Sequence, residues 1–194
     1  MPPSHRHPQR VQDPTDTVLL SGGIDSATAL ALAVKTKRTL STLFVDYGQP
    51  AAARESAASV AVAMHYQVPH RKLRIRDLKF GSGEIRGRNA FLLHLAMLAS
   101  ARKSGALILA IHSGTQYRDC SMEFVNLMQQ SLDFHTGGEL VLAAPFVAMT
   151  KLDVYQVASR VEVPILLTYS CEAGNSPCGV CLSCIDREAL LAST

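Results

Sequence analysis

A chain of 194 residues, 47% of them hydrophobic, is long enough for one domain with a buried core. Its net charge of +3 is too small to mark a nucleic-acid footprint, and no apolar run approaches the roughly 18 residues of a membrane span. A soluble, cytoplasmic protein is therefore expected, with neither membrane nor nucleic acid as a partner.

The opening MPPSHRHPQRVQDPTD is rich in Pro, His and Arg and has no apolar stretch of the secretory kind. It reads as a disordered leader over residues 1–15. Strand-like runs then follow at 17–20, 40–46, 70–75, 106–111 and 140–144, and helix-period segments at 26–35, 51–65, 88–103, 122–134 and 151–161. The runs LILAI and LVLAA are continuous rather than alternating, as in strands covered on both faces. Alternation of strands and helices of these lengths predicts an α/β fold, a doubly wound sheet of five parallel strands. The body of the domain spans 16–169, with a Gly/Pro/Cys-rich knuckle and closing helix over 170–194 belonging to the same domain.

The first strand leads into Leu20-Ser21-Gly22-Gly23-Ile24-Asp25-Ser26 and then a helix. Glycines let a phosphate approach the backbone, and a helix N-terminus adds free N–H groups and a positive dipole end. The turn is thus suited to cradle phosphate, with the Ser21 and Ser26 hydroxyls as extra donors. Asp25 is a candidate helix cap or ligand to metal-bound water. A plain strand–helix turn capped by Asp25 or Ser26, with no ligand, is the alternative. Neither the Walker nor the Rossmann glycine pattern is present. SGGIDS resembles the PP-loop of the N-type ATP pyrophosphatases, which cleave ATP between the α- and β-phosphates and adenylate a substrate oxygen.

The second strand ends in Asp46-Tyr47-Gly48-Gln49, at the sheet edge where open α/β folds bind ligands. With the PP-loop, this DYGQ string resembles the 7-cyano-7-deazaguanine synthases (QueC type). That family continues with Arg-His, whereas this chain has Pro50-Ala51, with Arg54 and Glu55 arriving later. GRNAFLLHLAMLA, residues 87–99, is similar to the family's GRN segment and places Arg88 and Asn89 at a helix start. The segment before it is short, with Arg86 where proline is common, so the substrate lid is shorter than in the family.

Tyr117-Arg118-Asp119-Cys120-Ser121 resembles a Tyr-Pro-Asp-Cys-Arg segment of the family, and PFVAMTKLDV matches its Pro-Leu…Lys segment. Asp119 is a candidate partner for the N–H groups of a guanine-like base. Lys151 is either near the phosphates or a solvated first-turn lysine. Cys120 reads as a small buried hydrophobe and His112 as structural.

Cys171, Cys178, Cys181 and Cys184 form a C-x6-C-x2-C-x2-C set, with Gly174, Pro177 and Gly179 supplying the turns. Four thiolates within fourteen residues close a tetrahedral site with no open position, which points to structural Zn2+ over free thiols or an Fe–S cluster, and away from disulfides or catalysis.

The resemblance implies an adenine nucleotide alpha hydrolase-like, Rossmann-like fold and a homodimer. It implies ATP-dependent conversion of 7-carboxy-7-deazaguanine and ammonia to 7-cyano-7-deazaguanine, with release of AMP and diphosphate. ATP and Mg2+ would meet Leu20 to Ser26, Asp46, Tyr47, Arg88 and Asn89. Asp25, Ser26 and Lys151 would act in catalysis, and Gln49, Tyr117 and Asp119 would hold the base. Two alternatives stay open: an adenylating relative with another acceptor or an amide product, and a nucleotide-binding protein without turnover.

Overall fold

The structure, a computed structural model, describes residues 14–78, 80, 84–100 and 104–192. Strands β1 (Thr15–Leu19), β2 (Thr39–Asp46), β3 (His70–Arg74), β4 (Gly105–Ile108) and β5 (Leu140–Ala143) form one parallel sheet. The strand order is β3-β2-β1-β4-β5. Helices α1 (Ile24–Lys35), α2 (Ala52–His65), α3 (Arg88–Ala99), α4 (Met122–Thr136), α5 (Lys151–Arg160) and α6 (Leu182–Ala192) cover it. The expected five-stranded parallel sheet is present.

The run LILAI is covered on both faces as expected, whereas LVLAA is not: β5 is an edge strand, and Val141 is 54% exposed between buried Leu140 and Leu142. Side chains of a strand alternate between faces, so a strand buried on both needs apolar residues at every position. Val18 and Leu20 join Leu30 of α1, Val62 of α2 and Val154 of α5 in one core. Leu19, one residue out of phase, joins Leu93 of α3 and Leu132 of α4 in the other. Leu107 and Ile108 divide between the two cores in the same way. Truncating a fully buried residue such as Leu30 to alanine removes about 2–5 kcal/mol from cores of this kind.

Several boundaries depart from the expectation, β4 for instance ending at Ile108 rather than 111. Residues 1–13 of the predicted leader lie outside the described residues, but Thr15 is already the first residue of β1, paired with Thr39. Helix α3 stops at Ala99 because Ser100 takes extended backbone (φ −62°, ψ 111°), and residues 101–103 lie outside the described set. The closing helix, α6, begins at Leu182, ahead of Cys184, so the last cysteine of the knuckle is part of it.

Strand order turns at β1. The helix leaving β1 packs on one face, and α3, which leads into β4, packs on the other. The crevice between them opens at the carboxyl ends of β1 and β4, the switch point where doubly wound sheets take ligands. Among the described residues, no helix is long and apolar enough to cross a membrane.

Candidate active site

The β1–α1 turn is shaped by one close approach. Gly22 has φ +86°, and a Cβ there would stand 2.6 Å from Glu55 O and 2.8 Å from Ser59 N of α2. Only glycine lets α2 pack this close to the loop. Gly23 is the N-cap of α1, and no side chain caps the helix, unlike α4, capped by Ser121, and α5, closed by a Thr150–Asp153 capping box. Asp25 and Ser26 are therefore not caps. Ser26 Oγ donates to Gly23 O at 3.0 Å and lies 3.1 Å from Ser21 Oγ, so the two hydroxyls sit together beside the first-turn amides. An uncapped helix start flanked by hydroxyls is a site for an anion.

Asp25 faces Lys151. The lysine Nζ donates to both carboxylate oxygens, at 2.9 and 2.7 Å, and stands 5.0 Å from the centre of the Tyr155 ring one turn along α5. Lys151 is thus not a freely solvated first-turn lysine. His112 Nε2 lies 3.7 Å from Asp25 Oδ2, and burial drives the His112 imidazole down while Asp25 opposes the shift. His112, expected to be structural, borders this pair.

A cleft of about 300 Å³ opens over the turn, lined by Leu20, Ser21, Gly23 to Ser26 and Lys151. Tyr47, Gln49, Arg88 and Asn89 line it as well. Burial raises the Tyr47 phenol, with Arg88 opposing. Asp46 does not line the cleft: its carboxylate turns to β3, where Arg74 Nε holds it at 2.9 Å. Tyr117 and Asp119 do not line it either. Asp119 stands behind Asn89, accepting from its backbone N at 3.4 Å, while Asn89 Nδ2 donates to Asp119 O at 3.1 Å. Tyr117 packs into the α3–α4 core. Cys120 is buried, as expected, and burial raises its thiol.

Several lining residues were not singled out from the sequence: Glu55, Tyr155, Tyr169, Glu172 and Ser183. Glu55 carried a signal, since it follows DYGQ by one and a half helical turns. The last three reach the cleft only because the knuckle folds back on it. Tyr169 N donates to Gly22 O at 2.9 Å, and Arg54 stands 5.3 Å over the Tyr169 ring.

The knuckle brings all four expected cysteines together. The Sγ atoms of Cys171, Cys178, Cys181 and Cys184 lie within 4.8 Å of one another, with Cys171 and Cys184 buried. Four thiolates around one tetrahedral Zn2+ at ~2.3 Å stand about 3.8 Å apart; Cys178 Sγ and Cys184 Sγ are at 4.0 Å. The donor set fits such an ion. Backbone N–H groups of Val180 and Cys181 pull the Cys178 thiol down to about 6, favouring the thiolate that a metal requires.

The family model described as "Queuosine biosynthesis protein QueC" matches residues 15–84 and 79–194. This chain belongs to the QueC family. A 7-cyano-7-deazaguanine synthase of Methanoculleus marisnigri is 34% identical over 86% of this QueC-family chain and 88% of its own. A synthase of the same name from Synechococcus sp. RCC307 is 33% identical over 91% and 94%. Relatives named as synthases make this QueC-family chain an enzyme and remove the non-catalytic alternative. Among solved structures, NMN synthetase from Francisella tularensis has a TM-score of 0.50 at 20% identity, covering 84% of this chain and 67% of that one. The U34-tRNA thiolase NcsA from Methanococcus maripaludis, with its [4Fe-4S] cluster, has a TM-score of 0.55 at 13% identity, covering 95% and 66%. These last two share the fold.

Proposed function

We propose that this QueC-family enzyme converts 7-carboxy-7-deazaguanine, ammonia and ATP to 7-cyano-7-deazaguanine, releasing AMP and diphosphate. The observation that carries this reading is the uncapped start of α1, with Ser21, Ser26, Asp25 and Lys151 around it at the cleft floor. A carboxylate is a poor acyl donor, and a mixed anhydride with AMP is a good one. Attack of the substrate carboxylate oxygen on the α-phosphorus breaks the α–β bond, and diphosphate leaves. Ammonia then displaces AMP to give an amide. A second adenylation, on the amide oxygen, permits elimination of AMP and a proton to the nitrile.

The chain's part is position and charge. First-turn amides of α1 and the two serine hydroxyls receive the departing diphosphate, and Lys151 shifts from Asp25 toward the phosphate charge. Arg88 and Asn89, which also line the cleft, hold the nucleotide. Asp25 is the carboxylate in the cleft floor suited to Mg2+ or its water, an ion that would screen repulsion between phosphates and attacking oxygen.

In the knuckle, spacing of the four sulfurs favours a single structural Zn2+ over a [4Fe–4S] cluster, in which each thiolate holds its own iron and the sulfurs stand further apart. Free thiols gathered for a metal suit a reducing compartment, so we place the enzyme in the cytoplasm. Leu190 of α6 lies in the same core as α1 and α5, which supports assigning residues 170–194 to the ATP pyrophosphatase domain of 16–169. A homodimer completes the proposal; light scattering would return about twice the 20.9 kDa chain mass.

A second reading, an amide product or another acceptor, is favoured by Tyr117 and Asp119 standing outside the cleft. Incubation with ATP, Mg2+, ammonium and 7-carboxy-7-deazaguanine, followed by mass spectrometry, separates the two. Nitrile with AMP is the expected result. Amide alone, or AMP formed only when another amine replaces ammonium, would establish the second reading, and no AMP with any acceptor would overturn both.

A further inference from the structure

Two carboxylates of the cleft, Glu55 and Glu172, have no part in the chemistry above. Glu55, in the first turn of α2, lines the cleft beside Tyr47 and Gln49. Its Oε2 accepts from Gln49 Nε2 at 2.8 Å, while Gln49 Oε1 accepts from Tyr47 N at 2.9 Å, so both ends of that amide are fixed. The Glu55 backbone packs on Gly22, which places this side chain next to the phosphate loop.

Asp25 pairs with Lys151 and Asp46 with Arg74, and Asp119 stands behind Asn89. Glu172 accepts from Ser183 and is exposed to solvent, whereas Glu55 is half-buried. Glu55 enters none of the ion pairs among the described residues. An ionised carboxylate offers about four acceptor positions, and one side-chain donor meets it here. Burial drives its carboxyl up, the Gln49 hydrogen bond opposing and Arg88 acting only from beyond ion-pair contact. Such an acceptor on a cleft wall is a place for donors from a ligand.

We propose that Glu55 reads the N–H edge of the heterocyclic substrate, its carboxylate accepting from ring N1–H and the exocyclic 2-amino group, with Gln49 holding it in place. This rests on the reading that a 7-deazaguanine enters the cleft. Two coplanar, adjacent N–H donors match the two oxygens of a carboxylate. Adenine presents a donor beside an acceptor on the corresponding edge and leaves one oxygen unmet. Glu55 therefore sorts the base substrate from the adenine of ATP. The role expected for Asp119, which stands outside the cleft, falls to Glu55.

The test compares kcat/KM, read as AMP formation, for 7-carboxy-7-deazaguanine and its analogue without the 2-amino group. The parent enzyme prefers the amino compound by roughly 10- to 100-fold, the range for one hydrogen bond to a charged acceptor. Glu55→Gln erases that preference through KM for the base, with KM for ATP unchanged. Glu55→Asp, which keeps the acceptor, retains part of it and serves where the amide variant does not fold. A parent enzyme without preference, or a Glu55→Gln variant that keeps it, overturns the assignment and leaves the synthase reading standing. A parent that turns over neither base overturns the synthase reading and this proposal with it.

Discussion

Lys151 Nζ donates to both oxygens of Asp25, at 2.9 and 2.7 Å, and so ties the first turn of α5 to the first turn of α1. Both side chains stay about one-quarter exposed, so the pair adds little to stability, within the range of about 0–1 kcal/mol for accessible ion pairs. Two opposite charges meeting at an uncapped helix start serve a ligand better than they serve the fold.

Asp25→Asn and Lys151→Met should each lower the rate of AMP formation by roughly 100-fold or more, the size of effect seen when a transition-state charge partner is lost. The thermal midpoint should stay close to that of the parent, because both side chains keep contact with solvent. Chromatographic AMP assays beside thermal unfolding check both halves. Full turnover by Asp25→Asn would mean that the phosphates do not bind at residues 21–26.

Gly22→Ala combines two costs. A non-glycine residue at φ +86° carries roughly 1–3 kcal/mol of strain, and the new Cβ would press on Glu55 O and Ser59 N, forcing α2 outward. Gly87 offers the control: its φ is +77°, and a Cβ there meets nothing within 4 Å. Gly87→Ala should therefore lose the strain alone, on the order of 1 kcal/mol. Urea unfolding of the two variants measures the difference. Gly22→Ala should be clearly the less stable and should also bind ATP more weakly; equal losses would place the packing constraint elsewhere.

Much of the architecture was legible because the centre of the sheet, at Val18 to Leu20 and Leu107 to Leu109, is buried on both faces and has no freedom to alternate polar with apolar residues. The PP-loop string and the cysteine spacing were legible because their partners lie within a few residues. Long-range pairing was not. Nothing local to Lys151 names Asp25, 126 residues away, as its partner. Nothing in Asp119 tells that its carboxylate packs behind Asn89 instead of entering the cleft. Tyr169 and Glu172 reach the site only through the fold of the knuckle, which the spacing predicts as a metal centre without saying what it leans against. Glu55 was hidden by a shift: it follows DYGQ at a distance where its helix turns it inward.

The knuckle gives a prediction that couples stability to activity. Tyr169 and Ser170 immediately precede Cys171, and Ser183 precedes Cys184, and all three non-cysteine residues line the cleft. Cys171→Ser or Cys181→Ser should reduce zinc from about one per chain to near zero, as three-thiolate sites bind far less tightly. Thermal stability should fall, and KM for ATP should rise, since the Tyr169–Gly22 contact loses its anchor. Metal analysis with kinetics on the same sample reads this out. A zinc-free variant with parental KM would show that the knuckle does not shape the site.

His70 predicts how stability follows pH. Its Nδ1 lies 2.8 Å from Thr42 Oγ1 and its Nε2 3.3 Å from Ser59 Oγ, so the ring bridges β2 and α2. Burial, with Lys72 nearby, drives the imidazole below the ordinary value of 6.5. The unfolded chain then takes up a proton at a pH where the native ring stays neutral, so protonation favours unfolding. The contribution is fully present above pH 6.5 and is lost as pH falls toward the lower native value. His112, also driven down by burial, acts in the same direction. Each group adds a slope of at most about 1.4 kcal/mol per pH unit in that window. Urea unfolding at pH 7.5, 6.5 and 5.5 should show stability declining, and His70→Gln should be less stable at pH 7.5 but lose less on acidification. An unchanged slope in His70→Gln would assign the pH response to other groups.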